Sequence, residues 1–462
     1  MIAKRFMLAG LAPVIALQGC SMAPNLPERE PPVPAAWPSG AAYPPLMQET
    51  AQPLAFDTIF RDQRLRSLVA TALEQNRDVQ VALANLTAAR AQVRATRAAQ
   101  FPQIDADGSA TISDRANTPS TRQYDAAVRL PAFELDLFGK LANATRAERE
   151  RALATEAAAR TVRLALIADL SDAWATYAAN KDLLAISQAT AANARRSVEL
   201  TRARLQGGVA PRTDLRQAEQ ILATAEGDVA SQMTALAQDE NLIRLLIGGE
   251  FDTALLPQSL SEVVAGIVPA PAGVSSSVLL TRPDVMEAEY LMRAANADIG
   301  VARAELFPSI SLTGLLGFAS GALSGLFTSG AFLKQAGADV RYSIFAGGGT
   351  RARIDVSEAQ RDAALARYEG AVQTAFREAA DALAYLGTIG ERQRASMANR
   401  AAAEDTARLV EARYRGGVDS YLANLDAQRS LYFARQSETR LTLEQARNRI
   451  TLYRVLGGQD TI

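Results

Sequence analysis

Few residue types in this sequence could make or break bonds. Its 462 residues include no histidine and one cysteine, and 49 lysines and arginines balance 50 aspartates and glutamates. Without histidine there is no His-dependent triad or proton shuttle, and one thiol cannot build a disulfide within the chain or a Cys/His zinc site. The balanced charge gives no reason to expect nucleic acid as a partner. A carboxylate-based hydrolase stays open, but only scattered acidic residues support it.

The single cysteine stands in a specific context near the N-terminus. Residues 1–19 have a basic start and a short apolar stretch, which predicts a secretory signal peptide rather than a membrane span. The letters LQGC at 17–20 resemble the bacterial lipobox, which implies cleavage before Cys20 and a lipid on its sulfur. Ser21 replaces the aspartate that would signal inner-membrane retention, so we expect the outer membrane of a Gram-negative envelope. An ordinary signal peptide with an incidental cysteine is the alternative.

Proline dominates the next segment, residues 20–56, which contains PNLPEREPPVPAAWPSGAAYPP. Proline fixes φ and removes a backbone donor. We therefore expect an extended, lipid-carrying tether rather than a packed element.

The rest of the chain is an internal duplication. The pattern Arg-x-x-Gly-Gly-Val occurs at Arg204 and again at Arg413, and other motifs recur in the same order, such as FPQI with FPSI and RLLIGG with YRVLGG. We predict a first repeat at 57–250, a linker at 251–275 and a second repeat at 276–458. Each repeat has the pattern of a helix, a strand pair and two long helices.

The predicted helices are too long for a compact globule. Neither glycine nor proline occurs between Gly139 and Gly207, which predicts a helix of about 100 Å at 1.5 Å per residue. Alanine, the best helix former, is abundant there. Helices of this length must pack side by side in an extended coiled-coil arrangement.

The predicted strands alternate apolar and polar residues. Ile104 to Ile112 and Ile310 to Phe318 both have period two, which fits barrel strands with lipid outside and water inside. A small soluble sheet is the alternative. The stretch 315–333 could also pass for a transmembrane helix, but its glycines and serines favour a hairpin. Four strands cannot close a membrane barrel, so membrane strands would require an oligomer; three chains would supply twelve.

Four segments carry a family resemblance: 133–140 (FELDLFGK), 281–312, 343–355 (SIFAGGGTRARID) and 414–432 (YRGGVDSYLANLDAQRSLY). They are similar to the TolC-like outer membrane factor family, in its NodT-type branch of efflux lipoproteins. The resemblance runs from about residue 57 to 458. It implies a mainly α fold with membrane β: a homotrimer with a twelve-stranded outer-membrane β-barrel and a periplasmic α-barrel of long antiparallel helices.

The resemblance also implies a function and partners. The family receives substrate from an inner-membrane efflux pump, expected here to be of the RND type, through a periplasmic adaptor (membrane fusion) protein. It conducts passively to the exterior, without catalysis, metal or cofactor beyond the lipid expected on Cys20. A lipidated periplasmic coiled-coil scaffold without a pore is the competing hypothesis, and it would not need four alternating segments.

A tunnel between compartments needs a gate, and the resemblance locates it. It assigns an acidic ring in the lumen to Asp426 and an apolar constriction to Leu422. These residues are four apart, so they share one helix face. Three facing aspartates would repel one another, attract cations and disfavour anions.

The resemblance also suggests a latch at the periplasmic tip. Tyr414 and Arg413 match positions that bond to the first repeat near Thr213 and Asp214. The alternative for Asp214 is that it caps the helix that follows it. Asp419 stands where some relatives carry arginine, which leaves the partner of Asp214 open.

Glycine pairs mark both predicted tip turns. Gly207 and Gly208 end the first long helix, and Gly416 and Gly417 end its counterpart. Glycine permits positive φ and so terminates a helix. The turns recur because the architecture is duplicated.

Overall fold

The computed structural model describes residues 21–26, 33–34, 36–44, 55–116, 118–269 and 275–458; the predicted signal peptide and Cys20 lie outside them. In chain order the elements of this part are α1 (Phe56–Ile59), α2 (Gln63–Gln75), α3 (Arg77–Ala98), β1 (Asp105–Arg115), β2 (Thr118–Glu134), α4 (Lys140–Gln206), α5 (Arg212–Ile247), α6 (Leu260–Gly266), α7 (Pro283–Ala304), β3 (Ser309–Ser320), β4 (Phe332–Arg341), α8 (Gly349–Arg415) and α9 (Tyr421–Val455).

The two halves repeat one order of elements. The first half runs α3, β1, β2, α4, α5, and the second runs α7, β3, β4, α8, α9. Helices α4 and α8 have the same length, 67 residues, and α5 and α9 have 36 and 35. The predicted duplication and the predicted long helices are therefore confirmed.

The strands form one antiparallel sheet in the order β1-β2-β3-β4. The central β2–β3 pair joins the two halves of the chain. Pro131, which cannot donate to a ladder, falls where the register of β2 shifts against β3, between Leu130 and Phe133. The stretch 315–333 is part of a hairpin, as predicted, and none of the described helices is both long and apolar enough to cross a bilayer.

The described residues divide into two compact units. The first comprises those within 1–30, 84–156 and 287–370, and the second comprises those within 31–83, 157–286 and 371–462. In the first, the rings of Phe138 and Phe307 stack at 4.5 Å beside the ends of the strands that they follow or precede in sequence.

The core of the second unit includes a buried arginine. Arg282 is 7% exposed, and its guanidinium donates to Asp284 (2.7 Å), Glu378 (2.9 Å) and the carbonyl oxygen of Val455 (3.1 Å). A buried charge is tolerated only when it is paired and hydrogen-bonded, and these bonds meet that requirement. The pairing fixes the start of α7 against α8 and α9 within this unit.

The expectation of an unpacked N-terminal tether is wrong for its described residues. In the first unit, Ser21 Oγ donates to Asn143 Oδ1 at 2.9 Å and Asn296 Nδ2 donates to the carbonyl oxygen of Pro24 at 2.8 Å. In the second unit, Trp37 is 8% exposed. Prolines prevent a helix or ladder, but the carbonyl groups of an extended segment still accept side-chain donors, so the segment lies against the folded body.

Candidate functional site

Both long helices end in the same hydrogen-bonded turn. At the first, Gly208 has φ +73°, its N–H donates to Leu205 O at 3.0 Å, and Val209 N–H donates to Arg204 O at 2.9 Å. This is a Schellman motif with a left-handed glycine. The second turn has φ +74° at Gly417 and equivalent bonds, from Gly417 to Tyr414 at 3.0 Å and from Val418 to Arg413 at 2.9 Å.

Only the second glycine of each pair adopts the positive φ that favours glycine over other residues. Gly207 and Gly416 do not take positive φ, and a Cβ on Gly207 would meet nothing closer than 3.5 Å. The second glycine of each pair therefore ends the helix, and the first is not required for the turn.

Buried side chains hold the two hairpins together beside these turns. We call this group the tip cluster: Val198, Leu215, Ala218, Tyr414, Tyr421 and Leu425, flanked by Leu205, Ile221 and Leu222. Its members come from α4, α5, α8 and α9, so the cluster joins the hairpin of the first repeat to that of the second. Small and branched side chains on α4 and α5 leave room for the two tyrosine rings.

Tyr414, a predicted latch residue, lies in the tip cluster. Its ring is 5.4 Å from that of Tyr421, and the guanidinium of Arg204 lies 4.8 Å from the centre of the Tyr414 ring. Such a cation–π contact is electrostatically attractive. Arg204 is the first residue of the repeated sequence motif, so this contact joins one copy of the motif to the other.

Tyr421 adds a polar contact between the hairpins. Its hydroxyl lies 3.0 Å from Ser197 Oγ on α4. Burial raises the pKa of Tyr421, and the nearby charge of Asp214 acts in the same direction. The hydroxyl therefore stays protonated, and able to donate, at any physiological pH.

Tyr432 makes a stronger bond between the same hairpins. Its hydroxyl donates to Asp228 Oδ2 on α5 at 2.6 Å and lies 3.0 Å from Ser187 Oγ on α4. Burial is the main reason that the pKa of Tyr432 is raised, and the bond to Asp228 adds to the shift. Hydrogen bonds to a carboxylate are about twice as strong as neutral ones.

Arg413 pairs within its own turn. Its guanidinium donates to both carboxylate oxygens of Asp419, at 2.8 and 3.0 Å. The bond holds the pKa of the Asp419 carboxyl below its usual range. Because the Arg413 side chain is 59% exposed and that of Asp419 is 21% exposed, water still screens the pair, which organises the second turn more than it stabilises the fold.

Asp214 and Thr213 lie in the first turn of α5. The N-cap of this helix is Pro211, without a side-chain capping bond, so the capping alternative for Asp214 is wrong. A carboxylate in the first turn still favours the positive end of the helix dipole. A latch from Asp214 or Thr213 to Arg413 or Tyr414 stays a prediction.

Leu422 and Asp426 occupy an exposed face of α9. Leu422 is 62% exposed and Asp426 is also exposed, whereas Asn424 and Leu425 between them are buried. The structure thus places the predicted apolar and acidic residues one turn apart on one open face. Their roles in a pore stay predictions.

Sequence reasoning missed the tyrosine contacts that join the hairpins. Tyr421 lies inside a recognisable motif, but its partner is 224 residues away, and Tyr432 and Asp228 are 204 residues apart. The available signal was the presence of aromatic hydroxyls near a predicted tip. Beside these residues lies a cavity of about 350 Å³, lined in part by Tyr414, Tyr421 and Tyr432.

The described chain combines an antiparallel sheet that has two free edges with two helical hairpins that are joined near their tips. This is the architecture of a channel subunit of the bacterial envelope. The family model described as outer membrane efflux protein matches residues 68–249 and 274–458. The chain belongs to this family. Its members are transport ducts of the outer membrane and not enzymes, so the predicted family, fold, location and non-catalytic role are confirmed.

Individual relatives agree over nearly the whole chain. A toluene efflux pump outer membrane protein, TtgC of Pseudomonas putida, is 38% identical over 451 residues, which is 96% of this chain and 93% of that protein. The cation efflux system protein CusC of Escherichia coli (strain K12) is 35% identical over 448 residues, covering 96% and 97%. The open state of the Neisseria gonorrhoeae MtrE outer membrane channel superposes with a TM-score of 0.85 at 29% identity, covering 96% and 100%.

Proposed function

We propose that three copies of this chain form one efflux duct in the outer membrane. The duct is anchored by a lipid on Cys20, and it receives cargo from an inner-membrane pump through a periplasmic adaptor. It conducts passively. The tip of the helical hairpins is its gate.

The open sheet is the observation that carries this proposal. Among the described strands, β1 and β4 each pair on one side only, and the sheet exposes large apolar side chains. Examples within the strands are Ile112, Val128, Leu316, Phe332 and Val340, each between 49% and 65% exposed. In lipid, unpaired backbone groups are too costly, so β4 must pair with β1 of another chain until the sheet closes.

The gate consists of two layers on α9 and a set of breakable contacts behind them. In a three-fold assembly, Leu422 forms an apolar constriction and Asp426 an acidic ring. The Tyr432–Asp228 and Tyr421–Ser197 bonds keep α9 against the first hairpin in the closed state. The neutral Tyr421–Ser197 bond contributes about 1 kcal/mol and the Tyr432–Asp228 bond, to a charged group, about 1.5–3 kcal/mol, so an adaptor that binds the tip can supply enough free energy to separate them.

Cargo selection belongs to the pump rather than to the duct. One relative at 38% identity is named for toluene and another at 35% for cations. Similar overall sequence therefore accompanies very different substrates. We propose that this duct likewise passes what its pump delivers.

Ion conductance in planar lipid bilayers tests the proposal. We expect brief openings with a preference for cations, measured as a reversal potential in a potassium chloride gradient. Asp426→Asn should reduce that preference, because it removes the charge of the ring. Glu250→Gln, at an 83% exposed carboxylate after α5, is the control and should leave it unchanged. A purified protein that never conducts would favour the scaffold hypothesis instead.

A further inference from the structure

The residues directly after the lipobox cysteine are seated on two buried asparagines. Asn143 accepts from Ser21 Oγ at 2.9 Å, and Asn296 donates to the carbonyl oxygen of Pro24 at 2.8 Å. Asn143 is 1% exposed and Asn296 is 7% exposed. Burying two amides is costly unless they have partners, so these contacts are specific features of the first unit.

A glycine on α7 makes room for this segment. A Cβ on Gly300 would lie 2.6 Å from Asn143 Nδ2 and 2.8 Å from the backbone nitrogen of Ala23. Real Cβ atoms do not approach other atoms so closely, so any larger residue would push the segment or Asn143 out of place. We call Asn143, Asn296 and Gly300 the seat of this segment, because the two asparagines bind it and the glycine leaves room for it.

The seat also offers two hydrogen-bonding atoms that nothing else satisfies. Among the described residues, Asn143 Nδ2 and Asn296 Oδ1 are buried without a partner. One is a donor and the other an acceptor. After processing, an acylated Cys20, which precedes Ser21 directly in the sequence, would carry an amide N–H and several carbonyl oxygens.

We propose that Asn143, Asn296 and Gly300 form a receptor site for the lipid-modified N-terminus. The inference rests on the lipidation included in the proposed function. The site holds residues 21–24 in place and pairs its two open amide atoms with the N-acyl amide and the lipid carbonyl oxygens of the modified cysteine. It thereby fixes the lipid next to the start of α4.

A second seat, in the other unit, shows that docking of the N-terminal segment is not confined to one point. The ring of Trp37 stacks on Phe376 of α8 at 5.2 Å with an angle of 15° between the planes. A Cβ on Gly387, also in α8, would lie 2.3 Å from the carbonyl oxygen of Ala42. Gly300 and Gly387 are thus kept free of a side chain by the same N-terminal segment.

Limited trypsin digestion tests the receptor site. Arg29 is the sole lysine or arginine between Cys20 and Arg61, so cleavage there releases the lipidated peptide and changes the intact mass. Gly300→Ala in the full-length, purified protein should increase the rate of this cleavage about tenfold, because undocking exposes the segment. Gly370→Ala, where a Cβ would meet nothing within 4 Å, is the matched control and should not change it.

A second pair of proteins tests the role of the lipid. Cys20→Ser, exported by an ordinary signal peptide, provides the same chain without acyl groups, and it should be cut at Arg29 about tenfold faster than the lipidated chain. Equal rates for these two would overturn recognition of the lipid-modified terminus. Equal rates for Gly300→Ala and Gly370→Ala would overturn the seat itself. Asn296→Ala, which adds no bulk, should also speed cleavage, so a folding defect in Gly300→Ala cannot hide the result.

The intact mass separates this inference from the proposed function. A wild-type mass without acyl groups would refute the lipid anchor and with it the receptor role. The conductance measurement depends on neither result. A duct that conducts but shows identical cleavage in all variants would contradict the receptor site alone.

Discussion

At the scale of single residues, Tyr432 and Tyr385 make similar hydrogen bonds that differ in which helices they join. Tyr432 bonds to Asp228 of the other hairpin at 2.6 Å, whereas Tyr385 makes an equally short bond to Glu444 within its own hairpin, from α8 to α9. The chemistry is the same, but only the first bond must break when the hairpins separate. The pair therefore offers a controlled comparison of gating and stability.

Replacing these tyrosines should have different effects on conductance. Tyr432→Phe removes a hydrogen bond to a charged group, which contributes about 1.5–3 kcal/mol. We expect the open probability in planar bilayers to rise at least about tenfold. Tyr385→Phe should leave it near the wild-type value. If both variants opened equally often, the bond to Asp228 would not be part of the gate.

Alkaline pH should weaken the fold through Tyr385. Burial and then the bond to Glu444 raise the pKa of Tyr385 to about 12, from an ordinary value near 10. A pKa raised by folding means that stability is complete below pH 10 and is lost as the pH rises from 10 to 12. The melting temperature from circular dichroism should therefore fall more over this range in the wild type than in Tyr385→Phe. A parallel fall in both proteins would contradict this assignment.

At the scale of elements, the sequence predicts what depends on local pattern. The 67-residue helix α4 could be predicted because no glycine or proline occurs between Gly139 and Gly207. The hairpin at 315–333 could be predicted because its glycines and serines disfavour a continuous helix. Pairings between distant elements could not, since nothing in the local sequence of Tyr421 specifies Ser197.

For the N-terminal segment, too, the local sequence predicts the backbone conformation but not the packing. Its proline content predicts an extended backbone, and an extended backbone can be either free or docked. Whether the segment is docked depends on the surface beside it. For residues 21–24 that surface consists of Gly300 and the buried Asn143 and Asn296. Those features lie in α4 and α7, where the sequence pattern indicates only helix.

Two glycines in α8 allow the docking of this segment to be measured. Gly387→Ala should displace residues 42–43 and loosen Trp37 from Phe376, whereas a Cβ on Gly390 would meet nothing within 4 Å. With Trp174→Phe in both proteins, Trp37 is the only tryptophan, since the sequence has two. Its emission should shift to longer wavelength in Gly387→Ala and not in Gly390→Ala. Identical spectra would show that Gly387 is not needed for docking.

At the scale of the whole molecule, a single chain leaves the edges of its sheet unpaired. Its described sheet has four strands with two free edges, and its helices present an exposed face that carries Leu422 and Asp426. The free edges are unfavourable in an isolated chain. They find partners when copies of the chain are arranged around a common axis, because each β4 then meets a β1, and the same arrangement would bring three Asp426 carboxylates around one lumen.

The native mass of the purified protein in detergent tests this central claim most directly. Three chains, each of 49.3 kDa for the full sequence of 462 residues, should be detected as one species that keeps its mass on dilution. Strand pairing between chains would make that assembly resistant to dissociation. A single-chain mass for protein that is folded and conducts ions would contradict the account, because four strands from one chain cannot close around a pore.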